Sequence, residues 1–463
     1  MDNSPQTISE KLAQFVAGLD YEAIPAAVRA QAKLHWLDSI GVALAASGFD
    51  FARKACAGLC ALGNGAYPVI GMPARLALRD AILMNGMLVH GIEFDDTSLH
   101  GRVHPSAFCV PTALGAGAFA KASGKDMLAA YIGGVECAVR LGMAARGGFT
   151  PAGFNAVGVI GAFGSALTAG KLLGLDTAQL TMAQGIAYST ASGNREFSAA
   201  DSWTKRFEAG WPGVGAVTAA MLAKEGYVGP RTAYEGRFGV FTTYLNTPAP
   251  AADLAGITSG LGQDWEFSRI LIKLLPSCFF NHAIINSTLA LVTQYDIAAA
   301  NIRAIRALVP QAGISTVCEP RGQKVAPNDI AAAQFSVYYS AAAAAVRRRF
   351  TLDELDANAL NDPVIRALAQ KVEYVADPHT IFPAHYSGGV EIILTDGRSL
   401  TAREDVNRGS TEKPLAASDI EEKFLANAAR VLPRGRAAEL LDLLLDIERC
   451  GDIVTLAARL GAA

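Results

Sequence analysis

Apolar residues recur every three to four positions through roughly the first 265 residues of the chain. This spacing corresponds to one face of an α-helix and predicts a succession of helices. The predicted helices are 9–19 with Ser9 as N-cap, 25–46, 76–92, 127–145, 162–173, 178–188 and 213–224. Small residues within these runs let neighbouring helices approach closely, which suits an all-helical core.

The periodicity changes near Phe267. Alternating runs at 302–309 and 371–375 predict strands, and Val390–Arg403 predicts a hairpin that turns at Asp396-Gly397. Helices are predicted between these strands at 331–347 and 362–371, and after them at 418–431, 437–447 and 453–460. We therefore expect a mainly α protein with an α/β part. Its predicted parts are a helical domain at 1–267, a smaller α/β domain at 268–408, and C-terminal helices at 409–463 that return to the helical domain.

Length and composition narrow the class of protein. The 463 residues exceed the size at which single cores stop growing, about 250–300 residues, so two domains are expected. A hydrophobic fraction of 51% is enough for a large core and argues against disorder. The formal net charge of −3 gives no basic excess, so no nucleic-acid partner is predicted. No group of cysteines and histidines has the spacing of a zinc site, so no metal is predicted.

The sequence also gives expectations about compartment. The N-terminus lacks the apolar core of a signal peptide. The most apolar run, Val157–Leu175, contains Lys171 and five glycines, so we interpret it as a buried helix and not as a membrane span. Seven scattered cysteines, an odd number, suit reduced thiols. We expect a cytoplasmic protein with no membrane partner.

Chemically active side chains are concentrated between His90 and Ala107, in the run HGIEFDDTSLHGRVHPSA. The run contains three carboxylates, three histidines, a threonine and an arginine. A carboxylate beside an imidazole suits proton transfer, because each group shifts the other's pKa and holds its position. A solvated loop with capping acids is the alternative interpretation.

The local geometry of this run depends on where the preceding helix ends. If that helix continues, Glu93 and Thr97 share one face. Asp96 and His100 would share a face in the same way. His104 precedes a proline, so we expect it to be extended, with the proline opening the next helix.

The same run resembles the 2-methylcitrate dehydratase family (MmgE/PrpD), whose members carry the pattern NGxxxHxxDFDDTxxxxxxHPS. From Asn85 this chain reads NGMLVHGIEFDDTSLHGRVHPS. Three further segments resemble family motifs in the same order: Gly153–Asp176, Ser202–Phe241 and Ile272–Ser287. On this coverage the chain is identified as a member of the family.

The resemblance implies a large helical domain built from both chain ends, a smaller α/β lid domain and a homodimer. It also implies a site in the cleft with neither a metal nor an organic cofactor. Activities known in the family are methylcitrate dehydration, cis-aconitate decarboxylation and iminodisuccinate epimerisation. All three act on small polycarboxylates.

Carried over position by position, the resemblance assigns two groups of site residues. The catalytic group is His104, Lys205, Glu93 and Asp96, and the substrate-binding group is Thr97, Asn155, Arg206, Glu208, Lys273, Cys278 and His282. Lys205 and Lys273 suit a substrate carboxylate or a developing enolate. His104 suits general acid/base catalysis, because the unperturbed pKa of histidine is about 6.5. One aspartate of the DDT run would orient that imidazole or a lysine, and His282 is equally explained as a core histidine.

Four positions depart from the family pattern: Glu93 is usually Asp, Asn155 and Glu208 are commonly histidines, and Cys278 is a histidine in decarboxylase-like members. Like charges about 4 Å apart repel by about 4 kcal/mol at an effective dielectric constant of about 20. If Glu208 faces the substrate, we expect a substrate with fewer carboxylates than a tricarboxylate, or one with an amine or a hydroxyl. Alternatively, Glu208 points to solvent or pairs with Arg206.

Three functions are compatible with these residues. The first is a metal-independent lyase of the dehydratase or decarboxylase type, which acts on a small hydroxy- or polycarboxylate by removing a proton beside a carboxylate. The second is an epimerase of an amino- or imino-dicarboxylate, which needs acid/base groups on both faces of one carbon. The third is a non-catalytic family member with a binding role.

Overall fold

The computed structural model describes residues 5–198, 202–245 and 253–461. The chain divides into two compact units. The first unit comprises Met1–Gly91, Asp95–Ile272 and Ala416–Ala463, and the second comprises Ile92–Phe94 and Lys273–Leu415. The sequence assigned residues 92–94 to the helical part, whereas the structure packs this short segment with the second unit.

The first unit begins with a succession of helices interrupted by very short strands. The helices are α1 (Ile8–Gly18), α2 (Ala26–Ser47), α3 (Asp50–Leu62), α4 (Leu78–Val89), α5 (Ser106–Ala120), α6 (Gly124–Ala144), α7 (Ala156–Leu172), α8 (Thr177–Tyr188), α9 (Thr204–Lys224) and α10 (Val240–Leu245). The strands are β1 (Tyr67–Pro68), β2 (Arg75–Leu76), β3 (Thr97–Ser98) and β4 (Ile270–Leu271), and they pair antiparallel as β1 with β2 and β3 with β4.

Helix ends differ from the predicted ones where side chains or the backbone decide them. The cap of α1 is Thr7 and not Ser9, because the Thr7 hydroxyl accepts from the Glu10 N–H while the Glu10 carboxylate accepts from the Thr7 N–H. Helix α4 ends at Val89 instead of residue 92. Helix α9 begins at Thr204, well before the predicted residue 213, and includes Pro212 in its interior. Helix α3 was not predicted.

Two glycines set the distance between α4 and α9. A Cβ added to Gly86 would lie 2.5 Å from the Cα of Gly210, and a Cβ added to Gly210 would lie 2.2 Å from the carbonyl oxygen of Leu83. A larger residue at either position would push the helices apart. The close approach brings the end of α4 to the start of α9, where Arg206 reaches the Gly91 carbonyl.

The most apolar helices of the first unit are buried within it. Among the described residues, one helix, Gly124–Ala144, is long and apolar enough to cross a membrane, and 94% of its most apolar window is buried inside the protein. Most of the run Val157–Leu175 lies in α7, whose residues are also almost all buried. Burial of this kind is typical of core helices.

The second unit is an α/β unit. Its helices are α11 (Phe279–Gln294), α12 (Gln311–Val317), α13 (Arg321–Lys324), α14 (Ile330–Gln334), α15 (Val337–Arg347), α16 (Ala357–Leu360) and α17 (Pro363–Ala369). Its strands are β5 (Ile302–Val309), β6 (Val372–Ala376), β7 (Gly388–Leu394) and β8 (Ser399–Glu404). The single helix predicted at 331–347 is two helices, because Ser336 caps α15 by accepting from the Tyr339 N–H at 2.9 Å.

The four strands form one mixed sheet in the order β6-β5-β7-β8. Strands β5 and β6 are parallel, whereas β5–β7 and β7–β8 are antiparallel. The predicted hairpin is present, and its turn includes Gly397, whose φ of 92° lies in the left-handed region that favours glycine. Buried side chains of β5 (Ile302, Ile305, Ala307, Val309) line the core of the unit.

The last three helices, α18 (Ala417–Ala428), α19 (Arg434–Leu445) and α20 (Ile453–Leu460), belong to the first unit. Helix α18 packs against α2, where a Cβ added to Gly41 would lie 3.0 Å from the ring of Phe424. The contact includes a buried ion pair, with Lys423 Nζ 2.6 Å from Asp38 Oδ1. Burial raises the pKa of Asp38 to about 6, and the charge of Lys423 limits that rise.

Lys423→Met should destabilise the protein by about 3–5 kcal/mol at pH 8, because it leaves the Asp38 carboxylate charged and buried without this cation. The folded-state pKa of Asp38 lies above its ordinary value, so the folded protein binds this proton more tightly than the unfolded chain. Without Lys423 the pKa of Asp38 should rise further, so the loss should shrink as the pH falls from 8 towards about 6, where the carboxylate of the natural protein also takes up its proton. Denaturant unfolding at pH 8 and pH 5 measures both effects.

The control is the double variant Asp38→Asn/Lys423→Met, which removes both charges and should recover most of the loss at pH 8. Equal destabilisation of the single and double variants at both pH values would contradict this account of the pair.

Candidate active site

The run that follows α4 is a loop and not a continued helix. Helix α4 ends at Val89, and the Gly91 carbonyl accepts a hydrogen bond from Arg206 Nε at 2.7 Å. The condition for the helical pairs, a helix that continues through this run, is therefore not met. Asp96 does not share a helical face with His100, which is half exposed and whose Nδ1 lies 3.6 Å from Glu266 Oε2.

The buried carboxylate of Asp96 fastens this loop to two helices. One oxygen lies 2.7 Å from Nδ1 of His35 on α2. The other accepts from the Ser106 N–H at 3.2 Å, and the Ser106 hydroxyl also donates to Asp96. That hydroxyl lies 2.6 Å from the hydroxyl of Tyr131 on α6. Because Ser106 opens α5, the carboxylate also sits at the positive end of a helix dipole.

His104 has one nitrogen fixed by this loop. Its Nδ1 lies 2.8 Å from the Asp96 carbonyl oxygen and 3.1 Å from the Thr97 hydroxyl. A carbonyl oxygen only accepts, so this contact assigns the ring proton to Nδ1 and leaves the lone pair of a neutral ring on Nε2. The side chain of His104 is 19% exposed, whereas His90 is fully buried. Of these two histidines, His104 is the one that a substrate can reach.

Asp95 lies between the two imidazoles. Its Oδ2 accepts from His90 Nδ1 at 2.6 Å and lies 3.5 Å from Nδ1 of His104. The two rings are also close, with centroids 4.9 Å apart. A carboxylate in this position stabilises an imidazolium and orients the ring. Asp95 is thus the aspartate of the DDT run whose side chain faces His104, whereas Asp96 contacts that ring through its backbone.

His90, Asp95 and His104 also form a group in which one ligand atom of each lies within 4.8 Å of the others. The sequence did not predict this grouping. A bound zinc ion holds nitrogen and oxygen ligands at about 2.0–2.2 Å, which sets neighbouring ligands more than about 3 Å apart. The 2.6 Å contact between His90 and Asp95 is instead that of a hydrogen bond. His90 and Asp95 therefore form a hydrogen-bonded imidazole–carboxylate pair.

Glu208, on the first turns of α9, is buried and tightly held. Its Oε2 accepts from the Asn155 side-chain amide at 2.7 Å, and its Oε1 accepts from the Asn194 N–H at 3.0 Å. Burial raises the pKa of Glu208, while these hydrogen bonds and the charges of His90 and Lys205 act in the opposite direction. Glu208 therefore lies within electrostatic reach of two residues of the site.

The alternative positions expected for Glu208, in solvent or paired with Arg206, are wrong. Arg206 is directed elsewhere, with its guanidinium 4.5 Å from the centre of the Phe51 ring and its Nε on the Gly91 carbonyl. It holds the loop that carries the histidines. Asn155 has two roles, since its side-chain oxygen also accepts from the Val157 N–H and caps α7.

In the second unit, Lys273 is buried beside Glu93. The ammonium donates to the Glu93 carbonyl at 3.2 Å and lies 3.7 Å from its Oε2. Glu93 adopts φ 51°, a left-handed conformation that costs a residue other than glycine roughly 1–2 kcal/mol. Backbone strain of this kind is concentrated at functional sites, where the surroundings enforce it. Here Lys273 contributes to that enforcement.

Cys278 and His282 lie at the start of α11 in the same unit. Cys278 is half-buried just before the first helical residue. His282 is buried, with Nε2 3.2 Å from the Ser277 carbonyl and its ring stacked 4.5 Å from that of Phe279. These contacts favour a structural role for His282. Lys324, a half-buried lysine that the sequence did not single out, has its pKa lowered by partial burial, while Cys278 acts in the opposite direction.

Comparison with known proteins gives a consistent result. Residues 10–252 match the MmgE/PrpD N-terminal domain, and residues 275–448 match the MmgE/PrpD C-terminal domain. The chain is 30% identical to the cis-aconitate decarboxylase of Homo sapiens, over 85% of this chain and 82% of that protein. It is 27% identical to the cis-aconitate decarboxylase of Aspergillus terreus (strain NIH 2624 / FGSC A1156), over 98% of this chain and 96% of that protein. The cis-aconitate decarboxylase-like protein oryM of Aspergillus oryzae is 25% identical, over 99% and 98% respectively.

Asp96→Asn should lower the free energy of unfolding by about 2–4 kcal/mol, because it removes a buried charge that three groups contact. Ser106→Ala, which removes one partner of that carboxylate, should cost about 1–2 kcal/mol. Denaturant unfolding of both variants measures the difference. A loss below about 1 kcal/mol for Asp96→Asn would show that the loop is held by other contacts.

Proposed function

Because the chain belongs to the MmgE/PrpD family, we propose that it is a metal-independent lyase that removes water or carbon dioxide from a small hydroxy- or polycarboxylate. Similarity to cis-aconitate decarboxylases along most of the chain supports the decarboxylase or dehydratase class. The observation that carries the proposal is the fixed tautomer of His104, a partly exposed ring whose Nδ1 is hydrogen bonded to a carbonyl, which leaves Nε2 as the basic atom.

His104 performs the proton step in either reaction. In a dehydration, Nε2 takes the proton from the carbon beside a carboxylate. The imidazolium so formed returns this proton to the hydroxyl on the next carbon, which leaves as water. In a decarboxylation, the bond to the departing carboxylate breaks, and the imidazolium protonates the carbon that keeps the electron pair. Asp95 stabilises the imidazolium in both cases, since its carboxylate lies 3.5 Å from Nδ1.

Lys205 supplies a cation for the substrate carboxylate. It is half-buried at the N-terminal turn of α9, a helix of 21 residues. Unpaired N–H groups and the helix dipole add positive potential at such a terminus. A cation at this end stabilises the negative charge that develops beside a substrate carboxylate when a proton or carbon dioxide is lost.

His104→Asn should abolish turnover while ligand binding, measured by thermal shift, is kept, because asparagine preserves hydrogen bonding but does not transfer the proton. The matched control is His100→Asn, a half-exposed histidine of the same loop, which should leave turnover unchanged. Turnover by His104→Asn with an unchanged pH profile would mean that another group is the acid/base.

Activity should survive prolonged dialysis against EDTA, because the contact between His90 and Asp95 has hydrogen-bond length. Metal analysis of the dialysed protein provides the control for complete removal. Loss of activity that a single divalent metal restores would contradict metal independence and would indicate the His90, Asp95 and His104 group as the site.

A further inference from the structure

We infer that Asn155 and Glu208 form one specificity-determining unit, which offsets the positive charge of Lys205 and thereby disfavours tricarboxylates relative to mono- and dicarboxylates. The inference rests on the proposed function, in which Lys205 receives a substrate carboxylate. It concerns the class of substrate and not the proton step.

The first argument is that the two departures from the family pattern touch each other. Asn155 and Glu208 lie 53 positions apart, yet the amide of one donates to the carboxylate of the other at 2.7 Å. A single change at either position would leave a buried polar group without one of its hydrogen-bond partners, which is costly. The two departures from the family pattern are therefore coupled, and Asn155 and Glu208 act as one hydrogen-bonded pair.

The second argument concerns where the charge of Glu208 acts. Lys205 and Glu208 are three residues apart on α9, which places their side chains on neighbouring positions of one helix face. The electrostatic contribution of Lys205 to the pKa of Glu208 reflects this proximity. An anion here cancels part of the attraction that Lys205 exerts on a substrate, and the cancelled part grows with the number of substrate charges.

The third argument is that Glu208 acts through space. Both of its oxygens accept hydrogen bonds from Asn155 and Asn194, and only a small part of the side chain reaches solvent. The carboxylate is therefore not placed to move towards a ligand. It is a fixed charge in a buried setting, where the dielectric constant is lower than in water and charges act more strongly.

The test is a charge ladder of ligands that need no turnover: butanoate, glutarate and propane-1,2,3-tricarboxylate, with one, two and three carboxylates. Glu208→Gln removes the charge and keeps the shape. It should tighten binding of the tricarboxylate at least ~10-fold and of glutarate about threefold, and leave butanoate nearly unchanged. Calorimetry at about 50 mM and about 500 mM salt should show that the gain shrinks as screening increases.

Two further variants make the outcome decisive. Glu225→Gln removes the same charge at the end of α9, about 25 Å away along the helix, and should change none of the three affinities. The double variant Asn155→His/Glu208→His keeps a polar pair and also removes the anion. It should raise tricarboxylate affinity at least ~10-fold even if Glu208→Gln fails to fold.

Equal shifts for all three ligands, or no shift in either variant, would overturn the inference and give Glu208 a purely structural role. If the proposed function itself is wrong, the natural protein should bind none of the three ligands. The two failures are therefore distinguishable. Turnover by His104→Asn would likewise refute the proposed acid/base and leave the ladder unaffected.

Discussion

The candidate active site of the first unit depends on one buried carboxylate. Asp96 takes its contacts from α2, from the first residue of α5 and, through its backbone carbonyl, from His104. The loop that carries the histidines has no regular structure of its own beyond the short strand β3, so these contacts replace the hydrogen bonds that a helix would supply. The carbonyl that assigns the tautomer of His104 belongs to this same residue, so the contacts of the Asp96 carboxylate also hold that carbonyl in place.

Most helices and strands were predictable from the spacing of their apolar residues, because an element with an apolar face must bury that face in any stable fold. The hairpin at Gly388–Glu404 and the long helices of the first unit were predictable for this reason. Helix ends were less predictable, because they depend on single side chains such as those of Thr7 and Ser336. The first turns of α9 were missed, so the close approach of Gly210 to Gly86 was not predicted.

The sequence named candidate site residues but not the contacts that they make. The resemblance named His104, Lys205 and Glu208, but the partners of each come from distant parts of the chain. His35 was missed, although a histidine within the long, largely apolar α2 is a signal for a buried polar partner. Asn194 was not predictable, because it contributes a backbone N–H that any residue would offer.

Electrostatics links the described sites within each unit. In the first unit, the Asp95 carboxylate faces the imidazole of His104, and the Glu208 carboxylate lies near Lys205. Each carboxylate therefore changes the electrostatic potential at a side chain that is positive or can become so. In the second unit, Lys273 pairs with Glu93, whose backbone is held in a strained conformation. Ionisable groups that perturb one another in this way are concentrated at functional sites.

Nuclear magnetic resonance of the reaction in D₂O, with a panel of small hydroxy- and polycarboxylates that includes cis-aconitate, tests the central claim most directly. A lyase should convert at least one acid into a product that has lost water or carbon dioxide. In a decarboxylation, deuterium should appear at the carbon that receives the proton. Deuterium entering an unchanged acid, with no loss of water or carbon dioxide, would contradict the lyase assignment and identify an epimerase.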